Sequence, residues 1–329
     1  MPEPGPVMRG AADVTDAQSG RGAFVHRAFL YRTQQEYFDR LLPFISEAVE
    51  ADQAVLVAVP GPNLAVLEKG LGRLAANVVM TDMTEAGRNP GRILGEVLSR
   101  FVDKHRDEPV RVIGEPMWPT RSEVEYPACV QHEALLNRAF TGRDVTVVCP
   151  YDVSQLDPDV IADAHRTHPV LWQDGVFEAS NPAYAPEAMW ARYNQPLSSD
   201  PSAVRYTARK LGDLAGARAF AGVYAQWFGL SPAQTADLQL ITSELASSSL
   251  THVRGTCRLA LWRHSGNVIC EARDGGCLDD PLAGRRSYGS DTTRGRGLYV
   301  VNAVADLVRT HITSEETTIQ AFLRLQQAS

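Results

Sequence analysis

The chain has no apolar run approaching the length of a membrane span, so a transmembrane helix is not its organising feature. Its first twenty residues contain Gly, Pro and Asp but no apolar signal-peptide core, and residues 1–23 read as a disordered leader. There is no C-x-x-C pair. The five cysteines, Cys129, Cys149, Cys257, Cys270 and Cys277, are odd in number. Buried or free thiols in a reducing cytoplasm are the expectation, rather than a disulfide framework. Excess basic charge is also missing: the formal net charge is −7. A general nucleic-acid binder needs a basic face to neutralise phosphates, so no direct nucleic-acid partner is expected. No internal repeat is visible.

What is present suffices for two domains of ordinary size. The chain has 329 residues, 44% of them apolar and 22% charged, as in soluble globular proteins. From Phe24 to about His165, short apolar runs alternate with helical periodicity. Phe24–Arg32, Ala54–Val59, Asn77–Asp82, Val110–Ile113 and Val145–Cys149 read as strands. Helical patterns fill the intervals. Alternation of this kind predicts βαβ units and a mainly parallel α/β sheet. Ligands of such sheets lie beyond the carboxyl ends of the strands. Glu115 and Trp118 follow one buried run, and Tyr151 and Asp152 follow another. They are candidates for one small pocket. The competing reading is that Trp118 and Tyr151 cover the sheet and Glu115 caps a helix.

Several segments of this half resemble the MEDS sensory domain of bacterial and archaeal signalling proteins. They are His26-Arg-Ala, Ala54 to Pro60, the run from Asp82-Met83 to Gly87-Arg88-Asn-Pro90, Gly114-Glu-Pro-Met-Trp118-Pro, Gln131-His-Glu-Ala-Leu-Leu-Asn137, Cys149-Pro-Tyr-Asp152 and Ala164-His-Arg-Thr-His-Pro169. The resemblance spans about residues 24–172. It implies a RecA-like α/β fold that senses a small molecule, with His26, Glu115, Trp118, Tyr151, Asp152 and His165 as the sensory pocket. A RecA-like nucleotide site would need G-x-x-x-x-G-K-[ST] after an early strand, and residues 59–66 contain no Lys-Ser or Lys-Thr pair. Nucleotide hydrolysis is therefore not expected in this half. His165 and His168, at i and i+3, can share a helix face and so reach one ion. Hydrogen-bonding histidines are the favoured reading of that pair.

Between 173 and 201 the periodicity dissolves among Pro182, Pro186, Pro196 and Pro201, which predicts a linker with one short helix around 187–193. Residues 202–329 then read as helix, helix, paired strands, a polar loop, helix and strands, an α+β pattern. Ser231-Pro232 starts the second helix. It carries Glu244 among apolar and small neighbours, where a carboxylate is costly without a partner or a task.

Leu240 to His252, Asp274-Gly-Gly276 and Gly295-Arg-Gly297-Leu298, in that order, resemble the N, G1 and G2 boxes of the GHKL ATPase fold, as found in anti-sigma-factor serine/threonine kinases. The resemblance implies an α+β sandwich that takes ATP and Mg²⁺. Glu244 would be catalytic, orienting water or taking a proton from a hydroxyl nucleophile. The nucleotide would be held by Ser248, Asp274, Gly276, Gly295, Arg296, Gly297 and Thr318, under a lid formed by 278–294. The family has Asn as the Mg²⁺ ligand four residues after the N-box Glu; here that residue is Ser248, a shorter ligand. The implied partners are a sigma factor, a STAS-domain anti-sigma antagonist and an unidentified small molecule at the sensory half. The resemblance allows a homodimer. The expected function is therefore a cytoplasmic signalling regulator in a partner-switching system. An active protein kinase is the alternative, and a sensor histidine kinase the more remote one.

Overall fold

The structure is a computed structural model that describes residues 23–173, 176–178, 181–252, 255–286 and 295–325. The leader expected over 1–23 lies almost wholly outside the described residues, and so does the part of the expected lid from 287 to 294.

The first domain is built on seven strands: β1 (Phe24–Tyr31), β2 (Ala54–Val59), β3 (Val78–Asp82), β4 (Val110–Gly114), β5 (Val145–Asp152), β6 (Val170–Gln173) and β7 (Val176–Glu178). Their order in the sheet is β3-β2-β4-β5-β1-β6-β7. All neighbours pair in parallel except β6 and β7, an antiparallel hairpin at the edge. Both faces are covered, which is why the strands read as continuous Val, Leu and Ala runs instead of alternating patterns. Side chains alternate between the two cores. Ala28, Leu30, Val147, Cys149 and Tyr151 enter one core. Phe29, Tyr31, Val148, Ile113 and Trp172 enter the other, under the helix Gln34–Glu50.

The second domain has an antiparallel sheet of five strands: β8 (Val204–Ala208), β9 (Cys257–His264), β10 (Asn267–Asp274), β11 (Leu307–Ile312) and β12 (Thr317–Arg324). The order is β11-β12-β10-β9-β8. Helices Leu214–Phe228, Pro232–His252 and Arg296–Val304 cover one face, with Ala217, Ala221, Leu238, Ile241, Leu245 and Val301 in the core. A parallel α/β domain followed by an antiparallel α+β domain is the fold class that the sequence predicted.

The other face of the second sheet rests on the first domain. Ala128 of the helix Tyr126–Ala139 packs with Ala260, Trp262, Ile269, Leu307 and Phe322. This sandwiching explains why nine consecutive residues of that helix, Ala128 to Leu136, are buried. Within the segment expected as a linker, residues 186–199 are tied down as well. Its helix Pro186–Tyr193 sets Met189 against Val130 and Ala134. Asn194 pairs with both backbone groups of Ile312. Ser199 donates to Glu271 at 2.6 Å, while Arg273 donates to the Leu197 carbonyl at 2.8 Å.

Candidate functional site

At the carboxyl ends of the parallel strands, Glu115 is only 4% exposed. It accepts hydrogen bonds from Tyr37 at 3.2 Å and from Asn63 at 3.0 Å. Burial pushes its carboxyl up to about 8, against the lowering effect of those donors. Asp152 is near enough to raise it further, and itself accepts from the Ser154 backbone and hydroxyl. Tyr31, also in this corner, is raised by burial and then by Glu115 and Asp152.

Tyr151 and Trp118 do not share this corner. One residue along β5 from Asp152, Tyr151 projects from the opposite face of the sheet. There its ring meets His168 edge-on at 5.6 Å. Trp118 packs on that same core and lies under the Arg121 guanidinium at 3.7 Å. The candidates expected in one pocket therefore divide between two faces. Tyr37 and Asn63, which no sequence pattern singled out, complete the Glu115 corner.

His26 belongs to the second face, in a cluster of wholly buried polar groups. Its Nε2 lies 3.0 Å from Glu133 Oε2 and 3.3 Å from Cys149 Sγ. His168 Nε2 lies 3.3 Å from the same Glu133 oxygen. Burial pushes the Cys149 thiol well up. His165 stays outside this cluster; its carbonyl accepts from Asn181.

In the second domain, the end of β10 and the start of the helix Arg296–Val304 enclose a cavity of about 160 Å³. Ser248, Asp274, Gly276, Gly295, Thr317 and Ile319 are among its lining residues. Asp274 accepts from Ser249 Oγ at 2.5 Å and from the Gly276 backbone at 2.9 Å. Thr317 donates to the Gly276 carbonyl at 2.7 Å, fixing the turn after β10. Thr318, the next residue on β12, is buried and is not among the lining residues, because neighbours on a strand face opposite sides.

Gly295 has φ +92°, and a β-carbon there would lie 2.8 Å from the Gly284 nitrogen. A β-carbon on Gly297 would meet Glu244 Oε2 at 3.0 Å. The two glycines thus bring the helix start against both the lid root and the Glu244 side chain. Arg296 is exposed at that start.

Residues 282–285, at the start of the segment expected as a lid, are built into the first domain. Leu282 joins the core of the parallel domain. Arg285 is 5% exposed, and burial lowers its guanidinium to about 10. Its charge reaches His132, whose imidazole is lowered to about 4, chiefly by burial. A β-carbon on Gly95 would touch Tyr299 at 3.2 Å and the Arg285 backbone at 3.3 Å. Gly95 lies in a stretch of π-helix, Ile93–Ser99, a form often found at functional sites. Asn89 donates to the Asn302 carbonyl at 2.8 Å and accepts from Val308 N–H at 3.2 Å. Asn302 in turn donates to the Gly284 carbonyl at 3.0 Å.

Comparison with known families matches both halves. Residues 25–169 match the model of the MEDS family, the methanogen/methylotroph, DcmR sensory domain. Residues 207–322 match the histidine kinase-like ATPase domain. The chain joins a MEDS domain to a histidine-kinase-like ATPase domain. No curated protein matches it. Among solved structures it is similar to a chain of the SiaB–SiaC complex from Pseudomonas aeruginosa, at 9% identity and a TM-score of 0.29, over 36% of this chain and 88% of that one. No helix among the described residues is long and apolar enough to cross a membrane. In the ATPase domain, the cavity beside Asp274 is smaller than the roughly 300–1,000 Å³ of pockets that enclose a whole drug-sized ligand. Asp274, the apolar side chains Leu245, Leu278, Leu298 and Ile319, and Gly295 at the start of the helix Arg296–Val304 border it.

Proposed function

We propose that the MEDS domain senses a small ligand and sets the nucleotide and partner-binding state of the ATPase domain in a partner-switching system. The observation that carries this reading is the lid root. Leu282 and Arg285, on the loop beside the nucleotide cavity, are packed into the sensory domain. A change in that packing moves the wall of the cavity.

In this reading ATP would be held by Asp274 at its base and by the backbone around Gly295 and Gly297 at its phosphates, where a helix N-terminus favours anions. Mg²⁺ would be met by Ser248. Glu244 would handle the proton of a hydroxyl nucleophile, as a positioned carboxylate can. The partners proposed are a sigma factor and a STAS-domain antagonist carrying a phosphorylatable Ser. The alternative is a fully active serine/threonine kinase of that antagonist. What favours binding over catalysis is Ser248, since Mg²⁺ demands near-ideal octahedral geometry.

The test is nucleotide titration of the full chain, with and without Mg²⁺, followed by partner binding in each nucleotide state. Nucleotide-dependent capture of a sigma factor or STAS protein is the expected result. Capture that is indifferent to nucleotide would reduce the ATPase domain to a plain binding module.

A further inference from the structure

We infer that His26, Glu133, Cys149 and His168 form a four-coordinate site for a divalent transition-metal ion of the zinc class, inside the MEDS domain. The four donor atoms lie within 4.8 Å of one another, and all four residues are buried. A tetrahedral ion with bonds of about 2.0–2.2 Å to nitrogen and oxygen and about 2.3 Å to sulfur sets its donors roughly 3.3–3.6 Å apart. The closest approaches here are 3.0 Å, 3.3 Å, 3.3 Å and 3.5 Å.

The outer hydrogen bonds decide what the inner atoms present. His168 Nδ1 lies 2.8 Å from the Ala164 carbonyl, which can only accept, so Nδ1 carries the proton. His26 Nδ1 lies 3.1 Å from Asn137 Oδ1. The orientation of that amide is set by its nitrogen, which donates to the carbonyls of Glu133 at 3.1 Å and Thr167 at 2.8 Å. Nδ1 of His26 is therefore also the protonated nitrogen. Both Nε2 atoms then aim lone pairs at the Glu133 carboxylate. Glu133 Oε1 and His168 Nε2 have no hydrogen-bond partner. Two lone pairs facing a buried carboxylate repel it; protonating one ring gives a neutral pair but leaves the other ring's lone pair on the same oxygen, and protonating both leaves a net positive charge in the core. A divalent ion resolves the conflict. Its two charges balance one carboxylate and one thiolate, while two neutral imidazoles complete the shell. An imidazole held by an oxygen on its other nitrogen is the usual second shell of a metal site. Four protein donors leave no open position, which suits a structural or sensing ion rather than a reactive one.

The test uses the full chain with Zn²⁺ and Co²⁺ as probes. Protein purified without chelator should carry one zinc per chain by mass spectrometry. Co²⁺-reconstituted protein should show the intense visible bands of a tetrahedral ion and a thiolate charge-transfer band. Cys149→Ser should remove the charge-transfer band, whereas Cys277→Ser, at an exposed thiol, should retain it. Asn137→Ala keeps all four donors but frees the His26 ring, and should weaken zinc binding about ten- to a hundredfold. Should Cys149→Ser fail to fold, chelation of the wild-type chain gives the answer instead: its melting temperature should fall and recover on zinc addition. A folded, zinc-free chain whose melting temperature ignores added zinc overturns the site. So does a cobalt spectrum that Cys149→Ser leaves unchanged.

Discussion

Single residues carry the three sharpest chemical expectations. Ser248 lines the cavity beside Asp274, at the position where the GHKL pattern has Asn. One ligand bond to a charged group is worth roughly 1.5–3 kcal/mol, so Ser248→Asn should tighten Mg-ATP binding about ten- to a hundredfold, read by titration with and without Mg²⁺. Glu244→Ala should abolish phosphotransfer to a STAS partner while leaving partner capture intact. If wild-type protein already binds Mg-ATP tightly and Ser248→Asn changes nothing, the hydroxyl is an adequate ligand and the kinase reading moves ahead. Glu115 gives a pH signature. Its carboxyl is raised from its usual 4.5 to about 8. Between those values the unfolded chain has released this proton while the folded chain retains it. Its contribution to stability is therefore fully present below about 4.5 and is lost as pH rises through about 8. Each unit of such a shift corresponds to about 1.4 kcal/mol. Glu115→Gln should flatten this part of the pH–stability curve. Parallel curves for the two proteins would mean that Glu115 is ionised in the fold.

At the level of elements, the contact between the lid root and the π-helical stretch links the two domains. Leu282→Ala removes a buried side chain and should cost about 2–5 kcal/mol. Asn89→Ala leaves the Val308 N–H without its acceptor and should cost about 1–3 kcal/mol by chemical denaturation. Both should also change the nucleotide affinity of the full chain, although neither residue lines the nucleotide cavity. Unchanged affinity in both would separate the interface from the nucleotide site. The alternation of strands and helices was legible from apolar runs and periodicity, because each element must bury one face or two. The π-helix at Ile93–Ser99 was not legible, since its sequence is an ordinary amphipathic pattern and the close approach of Gly95 to Tyr299 and Arg285 exists only in the folded chain.

For the whole molecule, the sensory domain covers a sheet face that an isolated ATPase domain would expose. A fragment spanning 202–329 should therefore melt below the same domain in the full chain, since Trp262, Leu307 and Phe322 lose Ala128 and Leu282 loses its core. Coupling between two sites is reciprocal in binding free energy. Nucleotide should thus change the affinity of the sensory pocket for its ligand by the factor with which that ligand changes nucleotide affinity, and should alter protection of that pocket in hydrogen exchange. Exchange changes confined to 202–329 would count against any communication between the halves.

The order of the elements, the two fold classes and the three glycine- and carboxylate-bearing boxes were determined by sequence alone, because they depend on local spacing: period 2 or 3.6, helix starts, and glycine where the backbone must pass close. Which polar side chains meet was decided by the tertiary structure. Glu115 just past β4 and Tyr151 near the end of the neighbouring β5 fall on opposite faces, since one residue of register inverts a side chain. His26, Glu133, Cys149 and His168 span 143 positions and come together only when β1, β5, the helix Tyr126–Ala139 and the end of the helix Pro158–Thr167 pack. The joining of the lid root to the sensory core likewise has no local signature, because Leu282 is an ordinary loop leucine until another domain supplies the apolar surface that buries it.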